Sequence, residues 1–205
     1  MLRKILIVTC ILCISACSMP DTKIYSLHLN TTSSPHPAKG GLSLESNKSS
    51  DHTDKSLTII IDSPHYLSQS FIAYRNSPYQ LEISRYSKWE SSPAEMVKQA
   101  FRDSLASEGL FKEISVSGIL PEEFYSLEIN LRRLERSDEG DRSYGELVMD
   151  VNLKAPDNKN IYSNIISKKV KLEDRSFLTL AKVLSGLLSE AIGEVREDIV
   201  KYIKK

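Results

Sequence analysis

Cys17 is the residue whose setting dictates a reaction. It closes the run Ile14-Ser15-Ala16-Cys17, which follows Arg3-Lys4 and an apolar stretch from Ile5 to Ile14. A basic start, a short apolar core and small residues before a cut describe a secretory signal peptide. The apolar run is about ten residues, too short to cross a bilayer as a helix. A small pair directly before a cysteine resembles a bacterial lipobox, where signal peptidase II cuts before the cysteine and leaves it lipid-modified. An ordinary cleaved signal with an incidental cysteine is the plainer alternative. One acyl chain holds a protein only marginally, whereas two or more anchor it stably. Lipoproteins with this motif carry a diacylglycerol and usually an N-acyl chain. Ser18 follows, where Asp is the usual inner-membrane retention signal in enterobacteria. The expected location is therefore the outer membrane, lipid-anchored and facing the periplasm.

Other chemistry is sparse. Cys10 and Cys13 leave with the signal, so Cys17 is the sole remaining cysteine; there is no intrachain disulfide to form and no free thiol nucleophile. His28, His36, His52 and His65 have spacings that fit no metal motif. The acidic run Ser137-Asp138-Glu139-Gly140-Asp141 loosely evokes a calcium loop but lacks the EF-hand spacing and its closing Glu, so a solvated hairpin turn is the simpler reading. No Gly-rich phosphate loop follows a strand, and no G-x-S-x-G elbow is present. Neither an enzyme nor a bound cofactor or metal is expected. The chain carries 27 basic and 27 acidic side chains, and losing Arg3 and Lys4 leaves a slight acidic excess. That balance does not suit nucleic acid.

The chain divides into a signal peptide at 1–16, a lipidated N-terminus with a flexible tether at 17–55, and a domain at 56–205. Asn30 to Lys55 is rich in Ser, Thr, Pro, His, Lys and Gly, with Leu42 and Leu44 its only leucines. It has too little apolar surface to offset ordering, and reads as a leash in front of the domain or as a plain spacer.

Within the domain, Ser56 to Asp62 is a β-branched strand bounded by Pro64. Phe71 to Arg75 is a short strand, Asn76-Ser77-Pro78 a turn, and Tyr79 to Tyr86 a strand with Tyr79, Leu81 and Ile83 on one face. Ser92-Pro93-Ala94-Glu95 opens a helix with Ser at the N-cap, Pro at the first helical position and Glu at the third. Gly109 ends it. Glu113 to Val116, Tyr125 to Arg132, Leu147 to Leu153 and Ile161 to Leu172 read as strands, with a second turn at Pro156 to Lys159. The last helix runs from Phe177 to Tyr202, capped by Asp174 or Ser176, with Leu180, Leu184, Leu187, Leu188, Ala191, Val195 and Ile199 on one face. Gly186 and Gly193 weaken it, or permit close packing on the sheet. The order β-β-β-α-β-β-β-β-α implies an α+β domain of two layers: a largely antiparallel sheet with two helices on one face.

One succession of residues also carries a family resemblance. Ser18-Met19-Pro20, Tyr25-Ser26-Leu27, Ile59-Ile60-Ile61, Pro64-His65-Tyr66-Leu67, Ile72-Ala73-Tyr74-Arg75, Tyr86, Trp89, Pro93 and Gly109-Leu110-Phe111 follow in an order that resembles the auxiliary lipoproteins of ABC-type transport systems, the PqiC-like family. The resemblance covers about residues 17 to 117, and the tether is longer than the family's usual. It implies a periplasm-facing lipoprotein that works with an MCE-domain (mammalian-cell-entry) substrate-binding protein of an ABC transporter in intermembrane movement of lipid or hydrophobic compounds. The lipoprotein would dock or anchor a partner, with a ring-shaped homo-oligomer as one arrangement, and would not hydrolyse ATP. A lipoprotein of a secretion or lipopolysaccharide-export assembly is the runner-up; an anchored hydrolase is the third reading. The resemblance carries over no set of functional residues. Trp89, Tyr74 and Arg75 are the candidate partner contacts, each with a structural alternative: packing at the strand–helix junction for Trp89, edge-strand structure for Tyr74 and Arg75.

Overall fold

The computed structural model describes residues 21–29, 54–116 and 120–203. The expected signal peptide, Cys17, His36 and His52 and most of the expected tether lie outside the described residues.

The described chain runs β1 (Lys23–Tyr25), β2 (Ser56–Asp62), β3 (Phe71–Ser77), β4 (Gln80–Trp89), α1 (Pro93–Ser107), β5 (Glu113–Ser115), β6 (Tyr125–Glu139), β7 (Arg142–Lys154), β8 (Asn160–Lys171) and α2 (Phe177–Ile203). A single 3-10 turn, His65–Ser68, joins β2 to β3. The α+β architecture with two helices is the one the residue pattern implies. The longest ladders are antiparallel, as that pattern also implies, and two features lie outside it.

First, the eight-stranded sheet is mixed. The antiparallel pairs expected from short turns are present: β3 with β4, β6 with β7, and β7 with β8. However, β1 runs parallel to β4, β2 runs parallel to both β5 and β6, and β3 runs parallel to β6. Strand β6 is the reason. Its first half, Tyr125 to Asn130, pairs with β2, and Arg136 and Ser137 pair with β3. Thus β2 and β3 act as one interrupted strand along a single edge of β6, with the 3-10 turn spanning the interruption. Alternation of apolar residues reports which face a residue takes and carries no information about strand direction.

Second, the sheet starts before residue 56. Lys23, Ile24 and Tyr25 pair with Ser87, Lys88 and Trp89. Residues 30–53 therefore connect two strands of one sheet, rather than standing as a leash in front of it. A three-residue strand with exposed Ile24 offers no alternation to detect.

The hairpin expected to turn at Asn76-Ser77-Pro78 turns one step later, at Pro78-Tyr79, because β3 continues to Ser77. Tyr79 is consequently 97% exposed rather than on the buried face. The acidic tip is likewise tighter than expected. Pairing persists to Glu139 opposite Arg142, leaving only Gly140 and Asp141 in the turn, with Gly140 at φ 60°. A left-handed residue is what a two-residue hairpin of this twist requires.

Local capping follows the residue types. Ser92 Oγ accepts the Glu95 N–H at 3.2 Å. Glu95 does not return the bond to close a capping box; its carboxylate takes Gln99 at 2.7 Å and Lys98 at 2.6 Å. Gly109 sits at φ 62° after α1. For α2 the cap is Ser176, whose Oγ accepts the Thr179 N–H at 3.1 Å; Asp174 Oδ1 accepts the N–H of Ser176 itself at 2.7 Å, an Asx turn ahead of the helix.

The core lies between one face of the sheet and the two helices. Leu127, Ile129, Leu131, Leu134, Leu147, Met149, Val151 and Leu153 supply the sheet side, while Val97, Phe101 and Leu105 from α1 and Leu180, Leu184, Leu188 and Val195 from α2 supply the other. Gly186 and Gly193 do not serve close packing: a Cβ on either would meet open space. The close approach is at Gly145 on β7, where a Cβ would lie 2.9 Å from Val183 Cγ1 of α2.

Gly193→Ala is therefore expected to stabilise the fold by up to about 1 kcal/mol, whereas Gly145→Ala destabilises it by roughly 1–3 kcal/mol through overpacking. Chemical denaturation of the two variants checks both signs.

Candidate functional site

The candidate residues Tyr74 and Arg75 are neighbours on β3, so their side chains leave opposite faces of the sheet. Each enters a different cluster.

Arg75 enters the helix-free face. Its Nε donates to Glu135 Oε1 at 2.5 Å, and Glu135 has no exposed surface. The Tyr66 hydroxyl, carried by the 3-10 turn, lies 2.9 Å from Glu135 Oε2 and 3.2 Å from the Arg132 carbonyl, and shares its proton between them. The Arg75 guanidinium also stands 6.0 Å from the Tyr66 ring centre. Burial, then the charge of Glu135, pushes the Tyr66 hydroxyl pKa up to about 12. Directly across β7, Glu146 pairs in register with Glu135 and is held by Arg133 at 3.0 Å and Lys169 at 2.7 Å. Burial opposes ionisation of Glu146; the hydrogen bonds from Lys169 and Arg133 outweigh it and keep its carboxyl below the ordinary range. Further out, Arg132 pairs with Asp150 and Lys154 with Glu128 at 2.7 Å. The face without helices is a ladder of matched charges.

Tyr74 enters the helix side. Its hydroxyl donates to Glu82 Oε2 at 2.7 Å, which, ahead of burial, raises its pKa. The Arg136 guanidinium stacks at 4.6 Å from the Tyr74 ring centre and 5.2 Å from that of Phe177, at the start of α2. It also donates to the Arg175 carbonyl at 2.7 Å and to Asp138 Oδ2 at 3.0 Å. Tyr25 of β1 closes the cluster, with its ring 6.4 Å from Phe177. This cluster fastens β1, β3, β6 and α2 together. Trp89 ends β4 at 2% exposure, inside the core.

Three open surfaces remain near these residues. A groove of about 670 Å³ runs beside the stretch of β4 that β1 leaves unpaired, lined by Ile83, Arg85, Tyr86, Arg175 and Phe177. The segment after β1 crosses the helices between two further grooves of about 460 and 410 Å³. It is pinned there by the His28 N–H, which donates to Ser185 Oγ at 3.0 Å. Among the described residues no group of His, Cys, Asp and Glu could hold a metal ion, and no helix is long and apolar enough to cross a membrane.

The residues that organise these clusters, Tyr66, Glu135, Arg136 and Phe177, are not among the candidate contacts named from the sequence, where Tyr66 enters only within a family motif and Phe177 only as a helix start. One signal was in the sequence: Leu127, Ile129 and Leu131 alternate, then Leu134 falls out of phase. That is the mark of the β-bulge seen between Leu131 and Arg133. It reverses the parity of the strand and turns Glu135 away from the helices.

The family described as ABC-type transport auxiliary lipoprotein component matches residues 47–195. The chain belongs to this family. It is thus an auxiliary component of ABC-type transport, of the lipoprotein kind. No curated protein matches the chain. Among solved structures, the crystal structure of protein XCC0632 from Xanthomonas campestris is similar at 16% identity and a TM-score of 0.65, over 84% of this chain and 92% of that one. The crystal structure of an uncharacterized protein is similar at 15% identity and a TM-score of 0.64, over 88% and 99%. At such identities the likeness concerns the fold.

Two outcomes test the clusters. Arg75→Met leaves the buried Glu135 carboxylate without its cation, and should lower unfolding free energy by roughly 3 kcal/mol, as for other broken buried pairs. The Tyr66 pKa is raised from 10.0 to about 12 in the fold. A tyrosine shifted upward contributes stability below its unfolded pKa and loses it as pH rises through the folded one. The wild-type chain should therefore lose stability between pH 10 and 12 that Tyr66→Phe does not lose, measured by denaturant titration of both at each pH.

Proposed function

We propose that this chain is an outer-membrane lipoprotein, acylated on Cys17 and facing the periplasm, which docks an MCE-domain substrate-binding protein of an ABC transporter. In this reading it takes part in moving lipid or hydrophobic compounds between the two membranes. It acts by holding a partner rather than by catalysis. The observation that carries the reading is the family match over residues 47–195, joined to the Ile14-Ser15-Ala16-Cys17 run. The geometry supports a rigid docking body: the buried charges of the helix-free face are matched to partners, and the candidate contacts Tyr74 and Arg75 are tied into the fold. Contact surface then falls to exposed neighbours of those two residues, such as Arg85 and Tyr86, rather than to buried Trp89. A homo-oligomer is compatible with this role, since the two helices pack on one face and leave the other sheet face uncovered by them.

Affinity purification of the tagged, lipidated protein from its own envelope in mild detergent, followed by mass spectrometry, tests the proposal. Enrichment of an MCE-domain protein with its permease is the expected outcome; enrichment of a secretion or lipopolysaccharide-export assembly would overturn it. In parallel, Cys17→Ala should accumulate as uncut precursor in the inner membrane. Normal processing of that variant, read by mass, would remove the lipid anchor from the account.

A further inference from the structure

The described chain begins at Asp21, two residues before β1. Four residues span at most about 14 Å, so whatever path they take, Cys17 stays within that distance of Asp21. Strand β1 gives the direction of the chain where the described residues begin. Strand β1 runs parallel to β4, with Lys23 opposite Ser87 and Tyr25 opposite Trp89. Going backwards from Lys23 therefore leads along β4 toward Gln80 and the hairpin tip at Pro78-Tyr79. The long connection 30–53 comes after β1 and adds no slack between Cys17 and the sheet.

That end of the domain has a distinct surface. Tyr79 projects from the tip at 97% exposure. Ile83 and Tyr86 follow it on β4, and Leu178 lies beside Phe177 at the start of α2; all three are exposed, whereas Ile24 sits farther back, opposite Lys88. Because β3 is parallel to β6, with Arg75 opposite Ser137, the Gly140-Asp141 turn lies at the same end. The rim is mixed in charge, with Arg85, Arg142 and Arg175 against Glu82, Glu139 and Asp141. Tyrosine is enriched at membrane–water interfaces, where its ring is buried and its hydroxyl stays wet. An exposed tyrosine and aliphatic side chains beside a short acyl-chain attachment fit the headgroup layer of a bilayer.

We propose that the domain sits directly on the lipid headgroups through the β3–β4 hairpin, with Tyr79 in the interface and the acyl chains of Cys17 entering the bilayer beside it. This rests on the lipidation reading above. The seat leaves the far end of the domain, with the start of β6 and the C-terminus of α2, turned toward the periplasm.

The test uses the full-length lipidated protein, whose Cys17 is blocked by acylation. Tyr79→Cys and Glu122→Cys each add one free thiol at an exposed position, at opposite ends of the domain. Each carries an environment-sensitive fluorophore, in vesicles of phosphatidylethanolamine and phosphatidylglycerol containing a headgroup-region spin-labelled lipid. The expected result is a blue shift and loss of emission at position 79, with neither at position 122. If the protein floats with the vesicles and shows the lipidated mass, yet position 79 stays unquenched or position 122 is quenched equally, the seat is wrong while the anchor stands. A mass showing unmodified Cys17 would overturn both.

Discussion

A carboxylate with no exposed surface cannot stay charged without partners, and Glu135 is such a carboxylate. Its position explains much of the sheet. It sits on β6 near where β2 has ended and β3 is about to begin, a gap in the pairing along that edge. Arg75 reaches it from β3 and Tyr66 from the connection between β2 and β3. The same Tyr66 hydroxyl covers the Arg132 carbonyl, a backbone acceptor at the bulge. One buried charge therefore requires the 3-10 turn, the start of β3 and the bulged stretch of β6 to occupy their places together.

On the other side of the sheet, Arg136, the next residue of β6, has the corresponding role. Its guanidinium is held between the Tyr74 and Phe177 rings and against Asp138. Tyr25 joins through Phe177. This joint binds the first described strand to the last helix, elements far apart in the chain. The body that results is tied together around its polar clusters.

The incorporation of β1 also changes the mechanical picture of an anchored domain. A lipoprotein whose leash preceded its fold would sample the space above the membrane. With the anchor proposed at Cys17, the first described strand begins six residues later at Lys23 and already belongs to the sheet, and the next segment is hydrogen-bonded to α2 through His28 and Ser185. The long polar stretch becomes a connection within the domain. Family membership and fold likeness both concern the body of the domain, and this attachment is read from the strand pairing.

Several features were legible in the sequence alone, because they depend on local chemistry. The Ser92-Pro93 helix start, the Gly109 stop, the seven-residue apolar face of α2 and the alternating stretches of β6 and β7 each follow from spacing and residue type within one segment. The family order of motifs was readable for the same reason. The parallel pairings, the place of β1 and the burial of Glu135 and Arg136 were decided by tertiary structure. A strand's neighbours are chosen by segments distant in the chain, and alternation is identical for parallel and antiparallel partners. Likewise a Glu or Arg reads as solvated unless its partners are known, and Arg75, Tyr66, Tyr74 and Phe177 reach theirs only across the folded sheet.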